Sequence, residues 1–223
     1  MILTVTLNPS LDRTIEIAEL TRGTVIRAGA ARLDPGGKGV NVSRALLAND
    51  VPTCAVVPYG GDEGRRLVEL LSDEGIDMIM VPVSGATRSN ITLAEPDGTV
   101  TKINEPGTPL TPAELETLAA AVLDAAGAAD WVVASGSLPP GVPTDIYARL
   151  CRRFAKAGIR TAVDTSGPAL VAALAAGPAL VKPNREELAT AAGVPVTTLG
   201  DAIDAARKLR AMGARTVLAS LGA

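Results

Sequence analysis

Histidine is absent from the 223 residues. That excludes Ser-His-Asp and Cys-His catalysis and any His-ligated zinc. Proton transfer must fall to carboxylates, Lys, Tyr or Cys. Cysteine is nearly absent too. Cys54 and Cys151, the 2 in the chain, cannot build a four-cysteine metal site, and they read as reduced core residues of a cytosolic chain. Aromatic residues make up 2% of the chain, too few for a reader of single-stranded nucleic acid, which stacks bases on rings. A surplus of positive charge is also missing. The net charge of −3 and pI of about 5.1 leave no basic footprint for nucleic acid or anionic lipid. Long hydrophobic runs are lacking: the most apolar stretch, Ala169 to Val181, is too short to span a bilayer and carries Gly177 and Pro178. The N-terminal segment MILTVTLNPSLD has no basic n-region, so it reads as a strand rather than a signal peptide. The expectation is a soluble, cytoplasmic protein.

What is present points to a packed α/β chain. With 47% hydrophobic and 20% charged residues, disorder is excluded, and the length suits one α/β domain over residues 1–223. Strand patterns fall at Ile2–Leu7, Thr53–Val57, Ile76–Val81, Trp131–Ala134, Arg160–Val163, Ala179–Val181 and Thr216–Ala219. Helical periodicity occupies Gly39–Leu47, the stretch bearing Leu67, Leu70 and Leu71, Thr144–Lys156, Pro168–Ala175, Arg185–Ala191 and Asp201–Met212. Thr111-Pro112-Ala113-Glu114 reads as a complete helix start, with a Thr N-cap, Pro at the first position and Glu closing a capping box. Alternation of this kind predicts a mostly parallel sheet with helices on both faces, a three-layer αβα sandwich. Four further strand-like segments have no helix between the members of each pair: Arg13–Ile17 with Val25–Leu33, and Ser89–Glu95 with Thr99–Asn104. Pro96-Asp97-Gly98 marks a hairpin turn in the second pair. These predict a small separate sheet, a lid built from segments of about 12–34 and 87–105.

In open α/β sheets ligands bind outside the carboxyl ends of the strands. The residues just after the predicted strands are Asn8-Pro9-Ser10 with Asp12, Gly60-Gly61-Asp62, Ser135-Gly136-Ser137, Asp164-Thr165-Ser166, Lys182-Pro183-Asn184 and Ser220-Leu221-Gly222. Any one of them also serves as a turn or cap; six sets on one edge argue for a ligand. Asp34-Pro35-Gly36-Gly37-Lys38-Gly39-Val40-Asn41 places glycines and a lysine just before a helix, a cradle for an anion. It is not a phosphate loop of the Walker type, because Gly39 rather than Ser or Thr follows Lys38. Arg88 stands at the hinge into the second lid pair and suits a phosphate clamp. Asn184 and Glu187, three apart, share one side of a first helical turn. They suit either a water-shelled Mg²⁺ or an ordinary helix cap.

Taken together, Asn8-Pro9-Ser10-Leu11-Asp12, Gly36-Gly37-Lys38-Gly39-Val40-Asn41, Thr87-Arg88-Ser89-Asn90, the run Ser135-Gly136-Ser137-Leu138-Pro139-Pro140-Gly141 and Lys182-Pro183-Asn184-Arg185-Glu186-Glu187 resemble, in order, the ribokinase-like (PfkB) carbohydrate kinases, in the branch that phosphorylates sugar phosphates. The resemblance covers the whole chain. It implies transfer from ATP, with Mg²⁺, to a sugar phosphate: fructose 1-phosphate giving fructose 1,6-bisphosphate, with tagatose 6-phosphate and fructose 6-phosphate as alternatives. It also implies roles. Asp12 holds sugar hydroxyls; Gly36, Gly37, Lys38 and Asn41 cradle the substrate; Arg88 clamps its phosphate, with Ser137 in the same pocket. Lys182 and Asn184 meet nucleotide phosphates, Asn184 and Glu187 organise Mg²⁺ through water, and Ser220 and Gly222 begin the nucleotide pocket. No nucleic acid or membrane partner is implied. A homodimer through the lid is expected, since open strand edges tend to pair. The chain departs from the family in one respect: the Gly-Ala-Gly-Asp segment carrying the catalytic base is not found in it. The expectation is therefore a chain incomplete at its C-terminus, binding sugar phosphate without turnover and leaving part of its sheet uncovered.

Overall fold

The structure is a computed structural model describing residues 1–222. Along the chain lie β1 (Ile2–Val5), β2 (Ser10–Glu16), β3 (Ala31–Gly36), α1 (Lys38–Leu47), β4 (Thr53–Tyr59), α2 (Gly61–Asp73) and β5 (Met78–Pro82). Then come β6 (Arg88–Ala94), β7 (Val100–Asn104), α3 (Pro112–Ala126), β8 (Trp131–Ser135), α4 (Ile146–Lys156) and β9 (Arg160–Asp164). The last are α5 (Gly167–Leu174), β10 (Leu180–Val181), α6 (Arg185–Ala192) and α7 (Leu199–Ala211). Six strands form one parallel sheet in the order β10-β9-β8-β1-β4-β5.

This order dictates the layers. From β1 the chain steps to β4 and β5 on one side, then returns through α3 to β8, β9 and β10 on the other. Right-handed crossovers put helices on opposite faces when the direction of travel reverses. The core agrees. Ala55 and Val57 of β4 pack with Val40, Leu67 and Leu71 from α1 and α2, whereas Val56 between them faces the cluster built by α3 to α7. That larger cluster includes Leu118, Val122, Phe154, Leu170, Leu188 and Leu209, each at most 1% exposed. Burying such a side chain is worth about 1.5–3 kcal/mol. The sandwich is the one the alternation predicts. The helices packed on β9 are α4 and α5, both on the larger cluster's face. Trp131 and Val133, pointing the other way from β8, are only partly buried, with the Arg160 guanidinium 4.7 Å above the Trp131 ring.

The Thr111 capping box closes as predicted, with Thr111 accepting from the Glu114 N–H and Glu114 accepting from the Thr111 N–H. Cys151 is buried and Cys54 partly so, both as free thiols; burial pushes the Cys151 thiol up to about 12, which leaves it inert. Among the described residues no helix is long and apolar enough to cross a membrane.

The second sheet has the order β3-β2-β6-β7, with β2 and β6 parallel and both outer pairs antiparallel. The β6–β7 turn is the expected one: the Asp97 carboxylate accepts from the Thr99 N–H (2.8 Å) and hydroxyl (3.0 Å).

Two expectations need correction. The strand expected over Val25–Leu33 begins only at Ala31 and runs on to Gly36, taking in the cradle's first residues; Val25 is 85% exposed. Its apolar character marks no burial, and pairing with Ser10–Ile15 sets the true register. The strand expected at Thr216–Ala219 is instead a broken edge, with isolated bridges Val181–Val217 and Asn184–Ser220. Val181 exchanges bonds with Thr216 and Leu218, and the Ser220 N–H donates to the Pro183 carbonyl. The next donor in that ladder would be residue 183, and proline has none.

Candidate functional site

β1 is where the chain's direction reverses, so the crevice beyond the carboxyl ends of β1 and β8 is the switch point of the sheet. A cleft of about 180 Å³ lies there, lined by Asn8, Lys38, Arg88, Gly136, Ser137, Thr165, Ser166 and Glu187. Asn8 follows β1, Ser137 follows β8, and Thr165 and Ser166 follow β9. Lys38 opens α1, and Arg88 enters from the small sheet as the first residue of β6.

The floor of the site is an ion network. The Lys38 ammonium donates to Asp164 Oδ1 at 2.7 Å and to Glu187 Oε1 at 3.1 Å. Lys182 reaches the second oxygen, Asp164 Oδ2, at 3.0 Å. Burial pushes the Lys38 ammonium down, but bonds to Asp164 and then Glu187 outweigh it and hold its pKa above the ordinary lysine value. Asp164 is 7% exposed, a carboxylate fixed between two cations. In the sequence it stands only within one of the six sets that follow strands; Lys182 after β10 and Lys38 at the start of α1 make it a member of the network.

Asn184 and Glu187 form a reciprocal cap. Asn184 Oδ1 accepts from the Glu187 N–H and Glu187 Oε2 from the Asn184 N–H, both at 2.8 Å. With Glu187 Oε1 taken by Lys38, these two side chains have little left for direct ligation. Among the described residues no group of three or more His, Cys, Asp or Glu is placed to hold a metal ion. The donor set fits a cation that keeps its water shell and takes its direct ligands from phosphate. Ser220 runs beside Asn184, and both Nε and Nη2 of Arg185 donate to the Leu221 carbonyl, so residues 220–222 flank the Lys182–Asn184 turn.

On the small-sheet side, Asp12 Oδ1 accepts from the Ser10 hydroxyl at 2.7 Å and from Asn90 Nδ2 at 2.9 Å. A Cβ at Gly36 would overlap the Asp12 carboxyl, so only glycine lets the cradle approach it. Gly37, with φ of 120°, caps α1 without a side chain of its own. The cradle is thus a close-packing device at the start of α1, where the Val40 N–H donates to the Thr6 hydroxyl at 2.9 Å and Lys38 alone reaches the cleft lining. Asn41 is exposed on the first turn of α1 and stands outside the cleft lining.

Arg88 sits between the two groups. Its Nη1 donates to the Glu105 carbonyl at 2.8 Å, and its buried Nε has no partner. Burial lowers its pKa against the opposing pull of Asp12 and then Glu105. The Asn90 Oδ1 acceptor is likewise buried and unpartnered. Asn8, Ser10 and Asn90 therefore belong to the site although the motifs, not these individual residues, were what the sequence flagged.

Residues 5–223 match the model of the pfkB family of carbohydrate kinases. The chain is 40% identical over 225 residues to the 1-phosphofructokinase of Rhodobacter capsulatus, covering 100% of this chain and 71% of that protein. It is 38% identical to the 1-phosphofructokinase of Escherichia coli K12, covering 99% and 70%. Among solved structures, Escherichia coli phosphofructokinase-2 in complex with fructose-6-phosphate superposes with a TM-score of 0.92 at 37% identity, over 99% of this chain and 74% of that one. A possible 1-phosphofructokinase from Thermotoga maritima gives 0.89 at 34% identity, over 99% and 71%.

Proposed function

We propose that this chain, which belongs to the pfkB family of carbohydrate kinases and is a phosphotransferase with a hydroxyl acceptor, takes fructose 1-phosphate as its acceptor and ATP as its donor. The observation that carries the choice of a phosphorylated sugar is Arg88, a half-buried guanidinium lining the same cleft as the Lys38 ammonium. A neutral nucleoside or vitamin would offer these two cations no charge to pair with, whereas a phosphate gives charge-assisted hydrogen bonds. In this reading Arg88, Lys38 and Ser137 receive the existing phosphate. Asp12, braced by Ser10 and Asn90, accepts from the sugar hydroxyls, and Lys182 meets the nucleotide phosphates with residues 220–222 at the rim of their pocket. Asn184 and Glu187 would hold Mg²⁺ through its water shell, where it neutralises phosphate charge. Phosphoryl transfer is mostly positioning and charge stabilisation, which this set supplies without histidine.

In this reading no described carboxylate is assigned as base: Asp164 and Glu187 have both oxygens engaged, and Asp12, with Oδ1 bonded, is given to the sugar hydroxyls. The 223-residue chain alone should therefore bind without measurable turnover, since a missing base costs about 10²–10⁴ and missing anion donors about 10²–10³. The small sheet is read as a lid. Its exposed residues Val100 and Ile103, 52% and 54% accessible on the edge strand β7, are the surface through which a homodimer would form. Calorimetric titration tests the assignment: fructose 1-phosphate should bind more tightly than fructose 6-phosphate or tagatose 6-phosphate, and fructose and adenosine not at all. A preference for either 6-phosphate would overturn the choice of sugar, and adenosine binding in the Arg88 cleft the class. A coupled ADP assay with the same sugars would expose a base among these residues if it showed turnover.

A further inference from the structure

We infer that Asn8 is a positioning residue that turns the Ser137 hydroxyl hydrogen toward the cleft, and so favours an anion there over a neutral sugar. Asn8 lies just past β1 and is 6% exposed. Its Nδ2 donates to the Pro106 carbonyl at 3.0 Å and to Ser137 Oγ at 3.2 Å. A backbone carbonyl can only accept, so the Pro106 contact fixes which end of the carboxamide faces it. The amide's two hydrogens are then both assigned, one to Pro106 and one to Ser137. The carboxamide oxygen packs against Gly107, in the space a Cβ there would fill, so the close approach of Asn8 requires glycine at 107.

The consequence falls on Ser137. A hydroxyl has one hydrogen and two lone pairs. With Asn8 filling a lone pair, the Ser137 hydrogen must point elsewhere, and the space beside it is the cleft that Lys38 and Arg88 also line. One oriented O–H and two cations converge on the same volume, a set suited to the oxygens of a phosphate and poorly suited to another donor. Asn8 touches no reacting atom; it acts through Ser137.

The inference rests on the reading of this cleft as the sugar-phosphate site, so the experiment uses two probes, fructose 1-phosphate and inorganic phosphate. Both are titrated calorimetrically into the 223-residue chain and into Asn8→Ala, Ser137→Ala, the double variant and Asn8→Asp. Each single alanine change should weaken binding about tenfold, the value of one hydrogen bond to a charged group. The double variant should lose about the same tenfold, not the product, because Asn8 acts only through the hydroxyl. Asn8→Asp should lose more than Asn8→Ala, since a carboxylate would draw the Ser137 hydrogen away from the cleft. ADP affinity should stay unchanged throughout, which a general loss of structure would not allow. Should Asn8→Ala fail to fold, Asn8→Ser enters the same cycle. Additive losses, equal effects of Ala and Asp, or no binding of either anion would overturn the inference. Coupling that persists with inorganic phosphate while fructose 1-phosphate binds no more tightly would leave it standing and sink the sugar assignment instead.

Discussion

The two sheets of this molecule are built on opposite terms. In the six-stranded sheet, Leu3, Val5, Val132, Ala134 and Val163 are each at most 1% exposed. In the four-stranded sheet no residue of β6 or β7 is fully buried, and the strands are held mainly by their own ladders. Yet Asp12, Arg88 and Asn90 all sit on the weaker sheet. The large sheet supplies a buried edge with a lysine–carboxylate network at the ends of its strands, and in the proposed reading the small sheet carries the groups that face the sugar, so stability and substrate contact would be separated.

The sharpest way to break that comparison is to cut a large apolar side chain from each sheet's surroundings. Phe154 on α4 is 1% exposed in the main core, so Phe154→Ala should cost about 3–5 kcal/mol. Ile103 on β7 is 54% exposed, and Ile103→Ala should change stability by less than about 0.5 kcal/mol. Urea denaturation measures both. Comparable losses would mean that the small sheet is a stabilising element after all.

Next in size is the pair of cations. Arg88→Ala should weaken fructose 1-phosphate by about 1.5–3 kcal/mol and leave ADP unaffected. The motifs alone place Lys38 on the sugar side as well. Its bonds to Asp164, shared with Lys182, and to Glu187 place it between the two halves, so Lys38→Ala should weaken both ligands. An ADP affinity left intact by Lys38→Ala would return this residue to the sugar side alone. Smaller again is Gly36→Ala. The added methyl must displace an Asp12 carboxyl braced by Ser10 and Asn90, so fructose 1-phosphate affinity should fall about tenfold, as for one lost charged hydrogen bond, with little change in melting temperature. A fall in melting temperature with affinity unchanged would make the glycine purely structural.

How far the sequence reveals all this depends on whether a feature is local. The capping box at Thr111, the helix cap at Asn184 and the Pro96–Gly98 turn are each written within four residues, and all form. The parallel sheet follows from alternation, which needs no pair to be known in advance. Features decided by a distant partner were not legible. Val25 looks like strand by type, but nothing pairs with it, and Pro183 interrupts an edge whose other side lies 33 to 37 residues later. Asp164 and Asn8 are site residues only because Lys38, Lys182, Pro106 and Ser137 arrive from elsewhere in the chain. A carboxylate after a strand and an amide before a proline carry no such mark by themselves.

The smallest predicted effect lies at the seam between the two regions, where α3 begins. Glu114 accepts from the Ser84 N–H at 2.6 Å through one oxygen, and from the Thr111 N–H at 2.7 Å and hydroxyl at 2.8 Å through the other. These bonds hold its carboxyl down at about 2, against 4.5 for the free group, led by the backbone donors of Ser84 and Thr111. A depressed carboxyl favours folding when ionised, so its contribution is complete above about 4.5 and is lost as pH falls toward 2. Glutamine at this position offers one acceptor oxygen and an NH₂ to three donors, so it cannot replace the carboxylate. Glu114→Gln should therefore lower the urea midpoint slightly near neutral pH, and the gap from the parent chain should close between pH 4.5 and 2. The residue lies at the surface and is only partly buried, so the gap should be small and should shrink with added salt. A gap constant over that window would show that the carboxylate's charge adds nothing to the cap, and that Ser84 and Thr111 are held by their own backbone.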